Sequence, residues 1–124
     1  MFTFIEYKNN LFSDLDNVPT TIVVTDTNTI WVTSIKICNR GAAPININLK
    51  QFRDRLLNPI TSFCLNEFEI KPYDTVDLLE KIGLIQLEYS TASYHDSLIC
   101  YSNGYTQKFD CNVVYAKLKE LPVI

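Results

Sequence analysis

The chain has 124 residues, of which 47% are hydrophobic and 20% are charged, and its formal net charge is −3. This length and composition are typical of one globular domain and argue against low-complexity disorder. The slight negative charge, without a cluster of Lys and Arg, argues against a nucleic-acid-binding surface. No stretch approaches the roughly 20 apolar residues of a membrane-spanning helix, so we expect neither nucleic acid nor a membrane as a partner.

The first eighteen residues are rich in apolar side chains near their start. These are Phe2, Phe4, Ile5 and Tyr7. They fit either the first strand of the chain's own sheet or an arm that packs on a neighbouring subunit, since such a set is costly to leave in water. We therefore take residues 1–18 as an N-terminal strand or arm, 19–124 as a single domain, and these four side chains as a predicted interface. The segment lacks the basic region and long apolar run of a signal peptide, so we expect synthesis in a cytoplasm.

The pattern of residues 30–50 predicts a hairpin. Its first arm, Ile30–Asn39, is rich in β-branched residues, which suit a pleated surface. Its second arm, Pro44–Lys50, alternates strictly between apolar and polar residues, as in a strand with one buried face. Gly41 supplies the turn, because glycine adopts positive φ without strain.

The clearest local turn signal is Asn103-Gly104, the preferred pair for a two-residue type I′ turn. It predicts a hairpin between residues 97–102 and 105–111. Turn signals recur every eight to twelve residues along the whole chain, and no long helical period is present. This spacing predicts about eight short strands in an all-β antiparallel sandwich, either a jelly roll or an immunoglobulin-like fold.

Alternation with polar neighbours also predicts which side chains form the core. The predicted buried residues are Trp31, Ile35, Ile37, Ile45, Ile47, Leu49, Leu98, Phe109 and Val113.

The four cysteines, Cys38, Cys64, Cys100 and Cys111, have no C-x-x-C spacing. Three interpretations are open: reduced cysteines in the core, a disulfide framework, or a metal site. Zinc sites need closely spaced ligand pairs, which are absent here. Because no export signal is visible, we expect four reduced cysteines, no metal and no cofactor.

Candidate catalytic residues are few. The single histidine, His95, lies in a polar loop without a nearby nucleophile motif, and the three glycines are isolated, so no phosphate-binding loop is present. We therefore expect no enzyme. Tyr73 and Tyr94 fall in predicted turns, where together with His95 they could form a platform for a ligand or a partner.

Residues 20–49 resemble a small β-sandwich module of bacteriophage virion proteins. The resemblance rests on the strand Thr21–Val24, the strand Trp31–Asn39 ending in Ile-Lys-Ile-Cys-Asn, and the alternating strand Pro44–Leu49. Residues 70–76 resemble the strand entry of such modules, although Tyr73 stands where the family usually has a glycine. The resemblance implies a tail, neck, fibre or head-decoration component, with no catalytic residues to carry over.

Two functions are therefore considered. The first is a non-enzymatic structural subunit of a virion, made in the host cytoplasm, that contacts further copies of itself and other virion proteins. The second is a module that binds a host-surface glycan or receptor through Tyr73, Tyr94 and His95. Clustering of these aromatic side chains at one end of the sandwich would favour the second function.

Overall fold

Ten β-strands and one short helix are present in the computed structural model, which describes residues 2–25, 28–55, 58–91, 94–104 and 106–121, with backbone alone for residues 2–4 and 118–121. In chain order the elements are β1 (Phe2–Leu15), β2 (Thr20–Val24), β3 (Ile30–Cys38), β4 (Ile45–Arg55), β5 (Ile60–Ile70), β6 (Thr75–Asp77), α1 (Leu79–Ile82), β7 (Ile85–Leu87), β8 (Tyr89–Thr91), β9 (Tyr94–Ser102) and β10 (Phe109–Leu121). Within this described part, no helix is both long and apolar enough to cross a bilayer.

The strands form two antiparallel sheets. Sheet A has the order β1-β10-β3-β6, with β7 also paired to β3, and sheet B has the order β2-β9-β4-β5, with β8 also paired to β9. Because β6 and β7 pair with different parts of β3, and β2 and β8 with different parts of β9, the ten strands fill eight positions.

Strand pairing is nested: the first strand pairs with the last, β2 with β9, β3 with β6 and β7, and β4 with β5. Two four-position sheets connected in this order form a jelly roll. The predicted all-β sandwich is confirmed, and the jelly roll is the one of its two alternatives that the structure contains.

Inward-facing side chains of both sheets form one hydrophobic core. The prediction of buried residues is confirmed for Ile35, Ile37, Ile45, Ile47, Leu49, Leu98, Phe109 and Val113. Aliphatic side chains dominate this core, and Phe109 is its largest fully buried member. Burying each such side chain contributes about 1.5–3 kcal/mol. The inward-facing side chains of β3, β4 and β10 therefore supply much of the driving force of folding.

Trp31 is the exception among the predicted core residues, because β3 contains a bulge. The pairing of β3 with β10 continues on both sides of Thr33 but skips Thr33 itself. One extra residue reverses the alternation, so Trp31 lies half-buried on the outer face of sheet A. The buried side chains of β3 are Ile30 and Val32 before the bulge and Ile35 and Ile37 after it.

The predicted hairpin of residues 30–50 is wrong. β3 belongs to sheet A and β4 to sheet B, and residues 39–44 cross from one sheet to the other. The buried Asn39 shapes this corner: its Nδ2 donates to the carbonyl oxygens of Ala43 (2.9 Å), Ile70 (3.3 Å) and Lys71 (3.2 Å). Alternation identified the buried face of the second arm and, except at Trp31, that of the first arm, but it carries no information about which strand lies alongside.

The predicted hairpin around Asn103-Gly104 is also wrong. β9 lies in sheet B and β10 in sheet A, so residues 103–108 cross from one sheet to the other, and Tyr105 among them lies outside the described residues. The Asn103 backbone N donates to the Asn46 carbonyl oxygen at 3.1 Å, and its side chain donates to Glu67 at 3.1 Å. The asparagine therefore ties the crossing to β4 and β5 in place of forming a two-residue turn.

Candidate assembly surface

Strand β1 is an edge strand of sheet A. It pairs with β10 without interruption from Phe2 opposite Leu121 to Phe12 opposite Cys111, and the register shifts only between Phe12 and Leu15. Asp14, within this irregular end, has a φ of 54°. On the other side of β1, no strand of the described residues is paired with it, so its outer backbone groups are open to another chain.

The two faces of β1 differ in their environment. Asn10 and Phe12 are paired with Val113 and Cys111, which are buried in the core, so the even-numbered positions between Glu6 and Phe12 face inward. The odd-numbered positions from Ile5 to Leu11, before the register shift, therefore face outward. Three of these carry large apolar side chains that are mostly exposed: Ile5 (57%), Tyr7 (65%) and Leu11 (73%). We call this set the outer stripe.

Aromatic surface continues beyond the outer stripe across sheet A. Tyr7 is paired with Ala116, and Ala116 is paired with Trp31, so these three residues lie in one row on the outer face. The bulge at Thr33 is the reason that Trp31 belongs to this face. An exposed edge strand with an adjoining apolar face is the type of surface that other protein chains cover.

The structure describes the side chains of only two of the four predicted interface residues. Ile5 and Tyr7 belong to the outer stripe, whereas the side chains of Phe2 and Phe4 lie outside the described atoms, and their backbones pair with Leu121 and Lys119. Sequence reasoning missed Leu11. Leu11 could have been found because Ile5, Tyr7 and Leu11 all lie at odd-numbered positions, as on one face of a strand. The polar residues between Tyr7 and Leu11 obscured this pattern.

The inner face of β1 has two charged side chains at positions next to those of the outer stripe. Lys8 Nζ lies 2.8 Å from Glu6 Oε1, and both side chains are at the margin of the sandwich, where they remain partly exposed. Inward-pointing charges on an edge strand oppose unspecific strand addition, because a wrongly placed neighbour would desolvate them. This charged pair therefore restricts which chain, in which register, can extend sheet A.

The predicted aromatic platform is split between the two ends of the sandwich. The turn containing Tyr73 directly follows Ile70, which is paired with Ile45 at the start of β4. Tyr94 is paired with Arg55 at the end of β4. Ten residues of strand separate these two pairs, or about 33 Å. Tyr73 and Tyr94 therefore cannot contact one small glycan together, and the condition that would favour the glycan-binding interpretation is not met.

Tyr73 lies in a strained turn. Its φ is 59°, in the left-handed region that favours glycine, and its side chain is 73% exposed. This is the position at which the resembling virion modules usually have glycine. The Tyr73 backbone N donates to the Gly41 carbonyl oxygen at 3.3 Å, which holds the turn against the residues that cross between the sheets.

Tyr94 and His95 lie beside a buried ion pair. Asp96 is fully buried, and its Oδ1 lies 3.2 Å from Arg55 Nη1. The Arg55 guanidinium is also 5.7 Å from the centroid of the Tyr94 ring, and the Glu88 backbone N donates to Asp96 Oδ2 at 2.9 Å. His95 Nδ1 is 3.7 Å from Asp54 Oδ2. The aromatic and ionic contacts at this end hold β4 and β9 together, and the hydrogen bond to Asp96 attaches Glu88, which lies between β7 and β8.

A groove of about 610 Å³ lies beside β6 and α1, and lysine and acidic side chains line it. One of its carboxylates, Asp77, accepts hydrogen bonds from Ser34 Oγ (2.8 Å), Ile35 N (3.1 Å) and Leu79 N (3.1 Å). The lining has both positive and negative side chains, and the Asp77 carboxylate already accepts hydrogen bonds from the protein. The groove therefore has no preference for an ionic ligand of one sign. Among the described residues, no group of three or more His, Cys, Asp or Glu side chains could hold a metal ion.

All four cysteines are free in the structure, and the most buried of them are poor nucleophiles. Burial, followed by the nearby Cys111, raises the pKa of the Cys100 thiol well above its usual value. Burial also raises the pKa of Cys64 and raises that of Cys111 to about 12. Since the thiolate is the reactive form, Cys100 and Cys111 act as small apolar core residues.

A thiol count is expected to give four free thiols in denaturant without reductant. In the folded protein near pH 8, Cys100 and Cys111 should resist alkylation, because a thiol with a pKa of about 12 is ionised in roughly one molecule in ten thousand at that pH. Two free thiols, or none, in denaturant would instead show a disulfide framework and an oxidising compartment.

The chain matches no protein-family model and no curated protein sequence. Among solved structures, a chain from the structure of infectious bursal disease virus, Gx strain, is similar with a TM-score of 0.47 and 6% sequence identity. The similarity covers 95% of this chain and 33% of that chain, so this protein corresponds to about a third of its length.

Proposed function

We propose that this chain is a non-enzymatic structural subunit of a virus particle that acts through protein–protein assembly. The outer stripe supports the proposal: an edge strand with no neighbour on its outer side among the described residues presents three large, exposed apolar side chains in one line. Leaving this surface in water costs free energy that a neighbouring chain recovers by covering it. The resemblance of residues 20–49 to bacteriophage virion modules supports a tail, neck or head-decoration role over other assemblies.

The jelly-roll order of the strands is compatible with this role, because viral capsid domains use that fold, as do lectins and cupins. Fold alone does not assign a function, so the argument rests on the surface. The proposed partners are further copies of this chain and other virion proteins. The proposed location is the virion, after synthesis in the host cytoplasm.

Assembly through the outer stripe is tested by light scattering. We expect the wild-type chain, of 14.3 kDa, to form a stable oligomer at high micromolar concentration. The double variant Ile5→Lys/Tyr7→Lys should weaken the association on the order of a hundredfold or more, because central apolar contacts cost about 2 kcal/mol each when lost. Both side chains are exposed, so the fold of the protomer should be unchanged.

The matched control is Leu84→Lys, which replaces an equally exposed apolar side chain (71%) before β7, away from the stripe. It should leave the oligomer intact. Point variants are preferable to deleting residues 1–7, because the deletion would also remove the β1–β10 pairs from Phe2 to Tyr7. A wild-type chain that remains monomeric at high micromolar concentration would contradict the proposal.

Membership of a particle requires a separate measurement. A mass-spectrometric inventory of purified virions should find this chain at a fixed ratio to the other particle proteins. If the chain assembles in solution but is absent from purified particles, the proposed assembly role stands and the proposed virion location is contradicted.

A further inference from the structure

We infer that the chain self-associates by antiparallel pairing of β1 with β1 of a second copy, about a two-fold axis that passes beside Tyr7. The pairing would join two copies of sheet A into one continuous sheet. This inference rests on the proposed assembly function and specifies its partner and its register.

The length of the regular ladder defines the centre of the pairing. β1 is regularly paired from Phe2 to Phe12 and becomes irregular beyond that point, where Asp14 has positive φ. In an isologous two-fold contact, one residue meets itself at the axis and the others pair symmetrically about it. A ladder that uses all of the described regular segment is therefore centred on its middle residue, which is Tyr7.

Charge complementarity selects the same register. With Tyr7 at the axis, Glu6 is opposite the partner's Lys8, and Lys8 is opposite the partner's Glu6. Directly opposed residues of opposite charge stabilise a strand pair, whereas like charges destabilise it. Moving the axis by one residue would place either two Glu6 or two Lys8 side chains opposite each other. The inward-facing charges thus permit pairing centred on Tyr7 and oppose both neighbouring registers.

The outer stripe becomes a shared surface in this arrangement. Residues that are directly opposed lie on the same face of a sheet, so the two Tyr7 rings meet at the axis on the outer face. Ile5 of each copy then lies diagonally next to the Tyr7 of the other. Aromatic side chains at the centre of an interface contribute strongly to its affinity, because they bury a large area with few rotatable bonds.

Cysteine cross-linking tests the register directly. Directly opposed residues have Cα atoms about 4.5–5.5 Å apart, within the range for a disulfide, so Tyr7→Cys should link to itself under a mild oxidant. In the same register, two copies of Leu11→Cys are offset by eight residues, or about 27 Å, and should not link. Tyr7→Cys should give roughly ten times more covalent dimer than Leu11→Cys on a non-reducing gel, because its Cα separation suits a disulfide.

Two controls complete the experiment. Wild type, with its own four cysteines, gives the background, and Leu11→Cys matches Tyr7→Cys in exposure and face. Ile5→Cys and Asn9→Cys should each fail to link alone but should link when mixed, because the register places Ile5 opposite the partner's Asn9. This heterodimer arm keeps the native Tyr7 at the axis.

The outcomes separate the inference from the function on which it rests. A chain that is oligomeric by light scattering, but whose Tyr7→Cys variant links no better than Leu11→Cys, would overturn the register while leaving assembly in place. A chain that is monomeric by light scattering would contradict both the register and the proposed assembly function. Selective linking of Tyr7→Cys, with linking of the mixed Ile5→Cys and Asn9→Cys variants, is the expected result.

Discussion

Replacing Arg55 by glutamine is expected to lower the free energy of unfolding by about 3–5 kcal/mol, because it leaves the buried Asp96 carboxylate without its counter-charge. The loss exceeds that of an ordinary ion pair because Asp96 is fully buried and only 3.2 Å from the Arg55 guanidinium. The Glu88 backbone N would still donate to Asp96 Oδ2, but one hydrogen bond does not replace a positive charge. Urea denaturation measures the change as a lower midpoint with an unchanged slope.

The matched control is Arg40→Gln. Arg40 forms ion pairs with Asp14 and Asp110, but its side chain is largely exposed, so its replacement should cost about 1 kcal/mol or less. The double variant Arg55→Gln/Asp96→Asn should recover part of the loss, since it removes the unpaired charge. Equal effects of Arg55→Gln and Arg40→Gln would show that the Arg55–Asp96 pair has no special role in stability.

Replacing Ile47 by alanine is expected to cost about 2–5 kcal/mol. Ile47 is fully buried in the middle of sheet B, paired with Phe68 on one side and Ser102 on the other, so the core cannot easily collapse into the space that the larger side chain leaves. The same denaturation experiment gives the value. Val18→Ala, at an exposed apolar position before β2, should change stability by less than about 0.5 kcal/mol. An equally small effect of Ile47→Ala would contradict the assignment of this strand face to the core.

Most of the core could be predicted from the sequence, because the signal for burial is local. Ile45, Ile47 and Leu49 alternate with polar residues, and a two-residue period directly reports which side chains face inward. The prediction was wrong at Trp31 because a bulge inserts one residue into the strand and reverses its period. The ten-residue stretch around Trp31 contains no proline or glycine that would have indicated the bulge.

Strand partners could not be predicted in the same way. Asn103-Gly104 has the composition of a tight turn, yet its two flanking strands lie in different sheets. A jelly roll pairs strands that are remote in sequence, so the identity of a neighbour depends on the whole chain and not on the turn residues. For the same reason the split of Tyr73 and Tyr94 between opposite ends had no signal in the sequence. The apolar positions of β1 were visible, but their common outer face depended on its pairing with β10.

The pairing of the first strand with the last has a consequence for the order of events during synthesis. β1 is made before the other strands of the described residues, and its partner β10 is made after all of them, so sheet A cannot close until every strand between the two has been made. Pairing across so long a separation in sequence is slow, in the range of milliseconds to seconds for β-rich domains. Until β10 arrives, β1 lacks the template that sets its faces and its register. Since the outer stripe exists only after this closure, a chain that is still being made cannot yet present the surface through which we propose that finished copies associate.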